Sequence, residues 1–147
     1  MLTIRRGRRT DVVALQSVLC PESPPDSLAA CSKAEVRHWR RLAQDPALDF
    51  YVAARDDALW GMLLVSYIRA LRFKGWQAIL ELAVVPTAPL DIGLALLDFA
   101  KERARKRGCP ALVWPTTGEL CSGQMFPGLL IENGFQRAGD IWSYTLA

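Results

Sequence analysis

Apolar and polar residues alternate briefly at the start of the chain, in Leu2-Thr3-Ile4-Arg5, and this predicts a short first strand. Thr10 and Asp11 then stand as N-cap residues before Val12, Leu15, Val18 and Leu19, which recur at helical spacing. The prolines of the stretch CPESPPDS, residues 20–27, break that helix. Ser32 followed by Glu35 has the capping-box pattern and starts a second helix, which runs to about Gln44 and is stopped by Asp45-Pro46.

Strand patterning takes over at Phe50. Residues 50–54, 59–70 and 76–85 read as three strands of an antiparallel meander, with turns at 55–57 and 72–75. Between 91 and 107 the period becomes helical, placing Ile92, Ala95, Leu96, Phe99, Ala100 and Arg103 on related faces, and Gly108 ends the helix. A strand at 111–114 follows at once, and a helix between Val84-Val85 and Leu112-Val113 is a βαβ crossover. Residues 115–123 read as a loop, 126–132 as a short helix ended by Asn133-Gly134, and 135–146 as one or two closing strands. The expected fold class is α/β in the α+β sense: a central, mixed, mostly antiparallel sheet with one βαβ crossover and helices on both faces. No repeat or linker divides residues 1–147, so one domain is expected.

Composition narrows the classes of function. Of the 147 residues 51% are apolar and 22% charged, which excludes a disordered or fibrous chain and suits one packed core. The net charge of +3 comes from bases gathered at Arg5, Arg6, Arg8 and Arg9 and over residues 101–107. Bases at a helix end complement its dipole, and no aromatic-rich or recognition-helix signature accompanies them, so they are read as solvated and no nucleic-acid partner is expected. Cys20, Cys31, Cys109 and Cys121 form no CxxC pair and have no histidine at ligand spacing, so no metal site is expected. The first residues turn basic without an apolar leader, and the longest apolar stretch, 58–68, is too short to span a bilayer. No membrane partner, a cytoplasmic location and reduced thiols are the corresponding expectations.

Three stretches, in this order and on these elements, carry a resemblance. IRRGRRTDVVAL, LELAVVPTAPLDIGLALLDFAKERARKRGC and LLIENGF resemble the first strand and helix, the cofactor strand, loop and helix, and the penultimate helix-to-strand turn of the GCN5-related N-acetyltransferases. Together they reach across nearly the whole chain. The resemblance implies that the fourth strand splays from the fifth and that Ala83, Val84 and Val85 offer backbone groups to the pantetheine arm of acetyl-CoA, as an added strand would. It also implies a pyrophosphate site over residues 88–95, with Asp91, Ile92, Gly93, Leu94 and Ala95 as cofactor-binding residues, because amides at a helix N-terminus attract an anion. Gly93 and Ala95 match the family's Gln/Arg-Gly-x-Gly-x-Gly/Ala loop, whose leading Arg-Gly this chain lacks. Asp91 replaces a glycine of that loop and is expected to act as the helix N-cap, its carboxylate accepting from the donors that would face phosphate.

Transfer of an acyl group to an amine needs a base for the amine and donors for the thioester carbonyl, and is helped by an acid for the thiolate. Glu81, on the fourth strand, is the candidate base that the resemblance implies; the alternative for it is a strand-surface glutamate paired with an arginine. His38, on the second helix near Glu35, Arg37 and Arg41, is read as a solvated imidazole, and Trp39 as core packing or as part of the acceptor pocket. Cys121 is read as a buried thiol, and Trp60, Trp76, Trp114 and Trp142 as sheet packing. Where many members place a tyrosine acid, four residues before Gly134, this chain has Leu130, and Tyr144 lies in the terminal strand. The expected activity is acyl-CoA-dependent N-acyltransfer, with acetyl-CoA as co-substrate and an amine-bearing small molecule or peptide as acceptor. A homodimer through the terminal strands is a further implication of the resemblance. The alternative is a noncatalytic domain of the same fold that binds a ligand or protein in the splayed groove, an alternative motivated by Asp91, Leu130 and the missing Arg-Gly.

Overall fold

Strand β1 (Thr3–Arg6) leads through a 3-10 turn (Arg9–Asp11) into helix α1 (Val12–Leu19), and helix α2 (Lys33–Gln44) follows. Then come β2 (Asp49–Arg55), β3 (Ala58–Arg69), β4 (Trp76–Val84), helix α3 (Leu90–Lys106) and β5 (Leu112–Val113). The structure is a computed structural model that describes residues 1–20, 22, 24–69, 71, 75–115 and 131–136. The helix expected at 126–132 and the strands expected over 135–146 lie almost entirely outside the described residues, as do Cys121, Leu130, Trp142 and Tyr144.

The five strands pair in chain order, β1-β2-β3-β4-β5, antiparallel throughout except for the last pair. The parallel pairing of β4 with β5 is brief, Ala78 opposite Leu112 and Ile79 opposite Val113, and α3 makes the crossover between them. This is the mixed, mostly antiparallel sheet that the patterning predicts. Asp56 and Asp57 turn the β2–β3 hairpin with φ of 52° and 62°, the left-handed pair that a two-residue turn matching the strand twist requires.

Alternation along the strands divides the core between the two faces of the sheet. Ala78, Leu80, Leu82 and Val84 of β4 turn with Leu63 and Val65 of β3 toward Ile92, Leu96, Leu97 and Ala100 of α3. Met62 and Leu64 of β3 turn the other way, with Phe50 and Val52 of β2, onto Val12, Leu15 and Val18 of α1 and Trp39 of α2. Helix α3 lies close on its face: a Cβ at Gly61 would stand 2.9 Å from Leu96 Cδ1, so only glycine lets β3 and α3 meet there. Gly108, with φ of 73°, ends α3 as expected, and the amide of Cys109 returns to Ala104 O at 3.0 Å. No described helix is long and apolar enough to cross a membrane.

The α2 capping box is present in both directions: Glu35 N–H donates to Ser32 Oγ at 3.1 Å, and Ser32 N–H to Glu35 Oε2 at 2.8 Å. Asp11 behaves differently from the expected N-cap. Its carboxylate accepts Arg8 N–H at 2.8 Å and both terminal nitrogens of the Arg5 guanidinium at 2.8 and 2.9 Å, tying β1 to the start of α1 without capping α1. Burial works against this charge, but the Arg5 and Arg8 hydrogen bonds outweigh it and hold the Asp11 carboxyl below the usual carboxylate range.

Candidate functional site

Because Leu80 and Leu82 face α3, Glu81 between them faces the α1–α2 side, opposite Leu64 of β3. It is exposed there, and its carboxylate has no ion pair or hydrogen bond among the described residues. No arginine among the described residues pairs with it.

Glu81 stands in a cleft of about 660 Å³. One wall is sheet, with Met62 and Leu64 of β3 beside Glu81, Leu82 and Ala83 of β4. The opposite wall is helical: Gln16 and Leu19 come from α1, and Ala34, Glu35, His38, Trp39 and Leu42 form one face of α2. Trp114 and Pro115, directly after β5, close the remaining side. His38 is solvent-exposed, as expected, and also lines the cleft. Trp39 is 5% exposed and stacks on Phe50 with ring centroids 5.8 Å apart, so it packs the core and touches the cleft at once.

The edge of β4 is set up by its hydrogen-bond alternation. Val85 N–H donates to Trp60 O at 2.9 Å, so the backbone groups of Ala83 and Val85 turn toward β3, and those of Leu82 and Val84 turn toward the β5 side. Pairing with β5 has already ended at Ile79, so this stretch of β4 runs past its parallel neighbour.

Four residues on, Pro89 occupies the N-cap position of α3, and Ile92 N–H donates back to Pro89 O at 3.1 Å. Asp91 is thus not the N-cap that its residue type suggested. It lies in the first turn, and its carboxylate is drawn sideways to Arg55 at the end of β2, Nη2 to Oδ2 at 2.7 Å. The amides of Leu90 and Asp91 precede any intrahelical partner and remain the outward donors of this helix end. Arg55 was legible in the sequence only as a turn residue, and nothing local marks it as the neighbour of a helix that starts 35 positions later.

A second charged cluster sits on the α3 face of the sheet, near the C-terminal end of that helix. Asp49 is fully buried and accepts from Tyr67 Oη, from Arg103 Nη2 at 2.9 Å and from Arg107 Nη2 at 3.4 Å. Burial alone would push the Asp49 carboxyl up, yet the bonds from Arg103 and Tyr67 and the charges of Arg103 and Arg107 hold it low. Burial and the Asp49 charge push the Tyr67 phenol well up, so it stays a donor. This cluster joins β2, β3 and α3 on the side of the sheet away from Glu81, and its role is structural. Among the described residues no group of three His, Cys, Asp or Glu side chains is placed to hold a metal ion.

No family model matches the sequence, and no curated protein matches it. Solved structures match over the full length. A transcriptional regulator from Bacillus halodurans C-125 superposes with a TM-score of 0.81 at 20% identity, covering 99% of this chain and 100% of that one. An acetyltransferase from Trypanosoma brucei gives 0.75 at 16% identity, with 99% and 100% covered. A predicted acetyltransferase from Clostridium acetobutylicum, solved with acetyl-CoA, gives 0.71 at 13% identity, with 99% and 96% covered. The fold is that of the GCN5-related N-acetyltransferases.

Placed on this acetyltransferase fold, the residues expected to bind the cofactor fall into two neighbouring groups. Ala83, Val84 and Val85 end the β4 edge, and Asp91, Ile92, Gly93, Leu94 and Ala95 make the first turns of α3. Glu81 lies two residues before the first group, on the cleft side. The sequence pointed to Trp39 of α2 as one candidate for the acceptor pocket, but not to Arg55, to the other α2 residues that line the cleft or to Pro115.

Proposed function

We propose that this chain is an acyl-CoA-dependent N-acyltransferase that carries an acetyl group to an amine. The observation that carries this reading is Glu81, a carboxylate with no partner among the described residues, on the cleft side of β4 in the stretch that runs past β5. The fold and the acetyl-CoA complex of a structural neighbour support it.

The residues present fit the cofactor. Backbone groups of Leu82 and Val84 face the open side of β4, where an extended pantetheine arm pairs as a strand does, and Ala83 and Val85 flank it. The outward amides of Leu90 and Asp91 and the turn through Ile92, Gly93, Leu94 and Ala95 receive the pyrophosphate, with Arg55 as the nearby cation. Bound there, acetyl-CoA supplies the acyl group: the amine nitrogen bonds to the thioester carbonyl carbon, the carbon–sulfur bond breaks, and the thiol departs with a proton. An amine arrives as an ammonium ion, and Glu81 takes its proton, directly or through one water, to free the nitrogen lone pair. The cleft between α2 and the sheet holds the acceptor.

Calorimetric titration with acetyl-CoA and with CoA tests the reading. Micromolar binding of both, together with release of free thiol in the presence of an amine, is the expected result. Glu81→Gln should then lower kcat/KM by roughly 10²-fold or more while leaving CoA affinity unchanged. No binding at millimolar cofactor would overturn the proposal in favour of a noncatalytic domain that uses the same cleft.

A further inference from the structure

The cleft has a one-sided charge pattern. Among the described residues that line it there are two carboxylates, Glu35 and Glu81, and no lysine or arginine. This is not for want of bases nearby. Helix α2 carries Lys33, Arg37, Arg40 and Arg41; at 100° per residue Lys33, Arg37 and Arg40 fall on the side opposite Glu35, His38, Trp39 and Leu42, while Arg41 stands at the flank, about 20° from Ala34. The helix is thus largely sorted by charge, with three of its four bases outward, Arg41 at the rim, and an acid, an imidazole and apolar groups toward the cleft.

The two carboxylates are not equivalent. Glu35 already accepts Ser32 N–H at 2.8 Å in the capping box. Glu81 has no partner among the described residues and shares the cleft with Met62, Leu64 and Trp114. An exposed carboxylate beside an apolar wall, with no counter-ion among the described residues, is a site at which a cationic ligand gains a charge-assisted contact. The apolar groups beside it favour a hydrocarbon or aromatic body over a polyhydroxylated one. A phosphate or carboxylate on the acceptor would meet no lysine or arginine among the described residues that line the cleft.

We infer that the acceptor is a monocationic primary amine on an apolar body, an aryl- or alkyl-substituted alkylamine, whose ammonium group pairs with Glu81 while its body lies against Trp39, Leu42, Met62 and Leu64. The inference rests on the acyltransfer reading for its chemistry, but the binding preference is measurable without turnover.

The test is calorimetric binding of three probes, each with and without saturating CoA: 2-phenylethylamine, its uncharged analogue 2-phenylethanol, and glucosamine 6-phosphate. The amine should bind about tenfold or more tightly than either of the others. Glu81→Gln should abolish the preference for amine over alcohol without weakening the alcohol. Ala34→Lys, which sets a cation on the cleft face of α2 at an exposed helical position, should weaken the amine and leave the alcohol unchanged. Equal binding of amine and alcohol, tighter binding of the sugar phosphate, a preference that survives in Glu81→Gln, or no binding of any probe would each overturn the inference. If the amine preference holds while acetyl-CoA fails to bind, the acyltransfer reading falls and the ligand class stands. If acetyl-CoA binds and the preference is absent, the ligand class alone falls.

Discussion

Asp91 and Arg55 are each unremarkable in the sequence, and their meeting alters what the start of α3 offers to an anion. The pair is partly solvated, with side chains 27% and 60% exposed, so it contributes about 0–1 kcal/mol to stability and is readily given up. An arriving pyrophosphate would take Arg55 from Asp91 and would be repelled by the carboxylate left behind. Asp91→Asn should therefore raise CoA affinity by about 3- to 10-fold, and Arg55→Ala should lower it, with little change in thermal stability for either. Calorimetry at low and high salt is the check, since the difference between the variants should shrink as salt screens the charges. Asp91 also shows why residue type alone misled: an aspartate before an apolar helical run reads as an N-cap, but the backbone turns at Pro89, which leaves Asp91 inside the first turn.

Helix α2 is the element whose sequence says most. Its start is written twice, by Ser32 and by Glu35, and both hydrogen bonds of the capping box form. Ser32→Ala should cost about 1 kcal/mol in a urea unfolding experiment, because an amide at the helix start loses its acceptor. The same helix forms one wall of the cleft, with its face of Glu35, His38 and Trp39 turned inward and Lys33, Arg37 and Arg40 on the opposite side. Periodicity revealed that α2 has two faces, but not which one meets β4. The strands behave alike: alternation along β4 announced that Leu80 and Leu82 share a side, and the packing of α3 on that side is what leaves Glu81 facing the cleft.

Taken together, the elements are held in register by a buried charge cluster as well as by the two apolar cores. Asp49 at the start of β2 joins Tyr67 of β3 to Arg103 and Arg107 of α3. Asp49→Asn removes the charge that two guanidinium groups face and replaces one of the two acceptor oxygens with an NH2 donor, so it should destabilise the protein by about 3 kcal/mol near neutral pH. The sign of the pH dependence follows from the lowered carboxyl. Its stabilisation is fully present above the unfolded value of about 3.9 and is lost as the pH falls through the lower folded value. Unfolding curves measured from neutral to strongly acidic pH should fall less steeply in Asp49→Asn than in the wild type. Part of the acid slope should remain in the variant, because Asp11 is held low by Arg5 and Arg8 in the same way.

Local patterning was enough for the order of strands and helices from β1 to β5, the α2 cap, the Gly108 stop and the crossover through α3, because these depend on backbone preferences and on periods carried by neighbouring residues. The resemblance carried by three stretches pointed to β4 and the start of α3 for the same reason, since each is a continuous segment. Contacts across the sheet were beyond that reach. Arg55 with Asp91, Asp49 with Arg103 and Tyr67, and His38 across from Glu81 each join residues far apart in the chain. Such pairs come together through strand register and helix packing, which depend on how the whole core closes, and no window of sequence contains both partners.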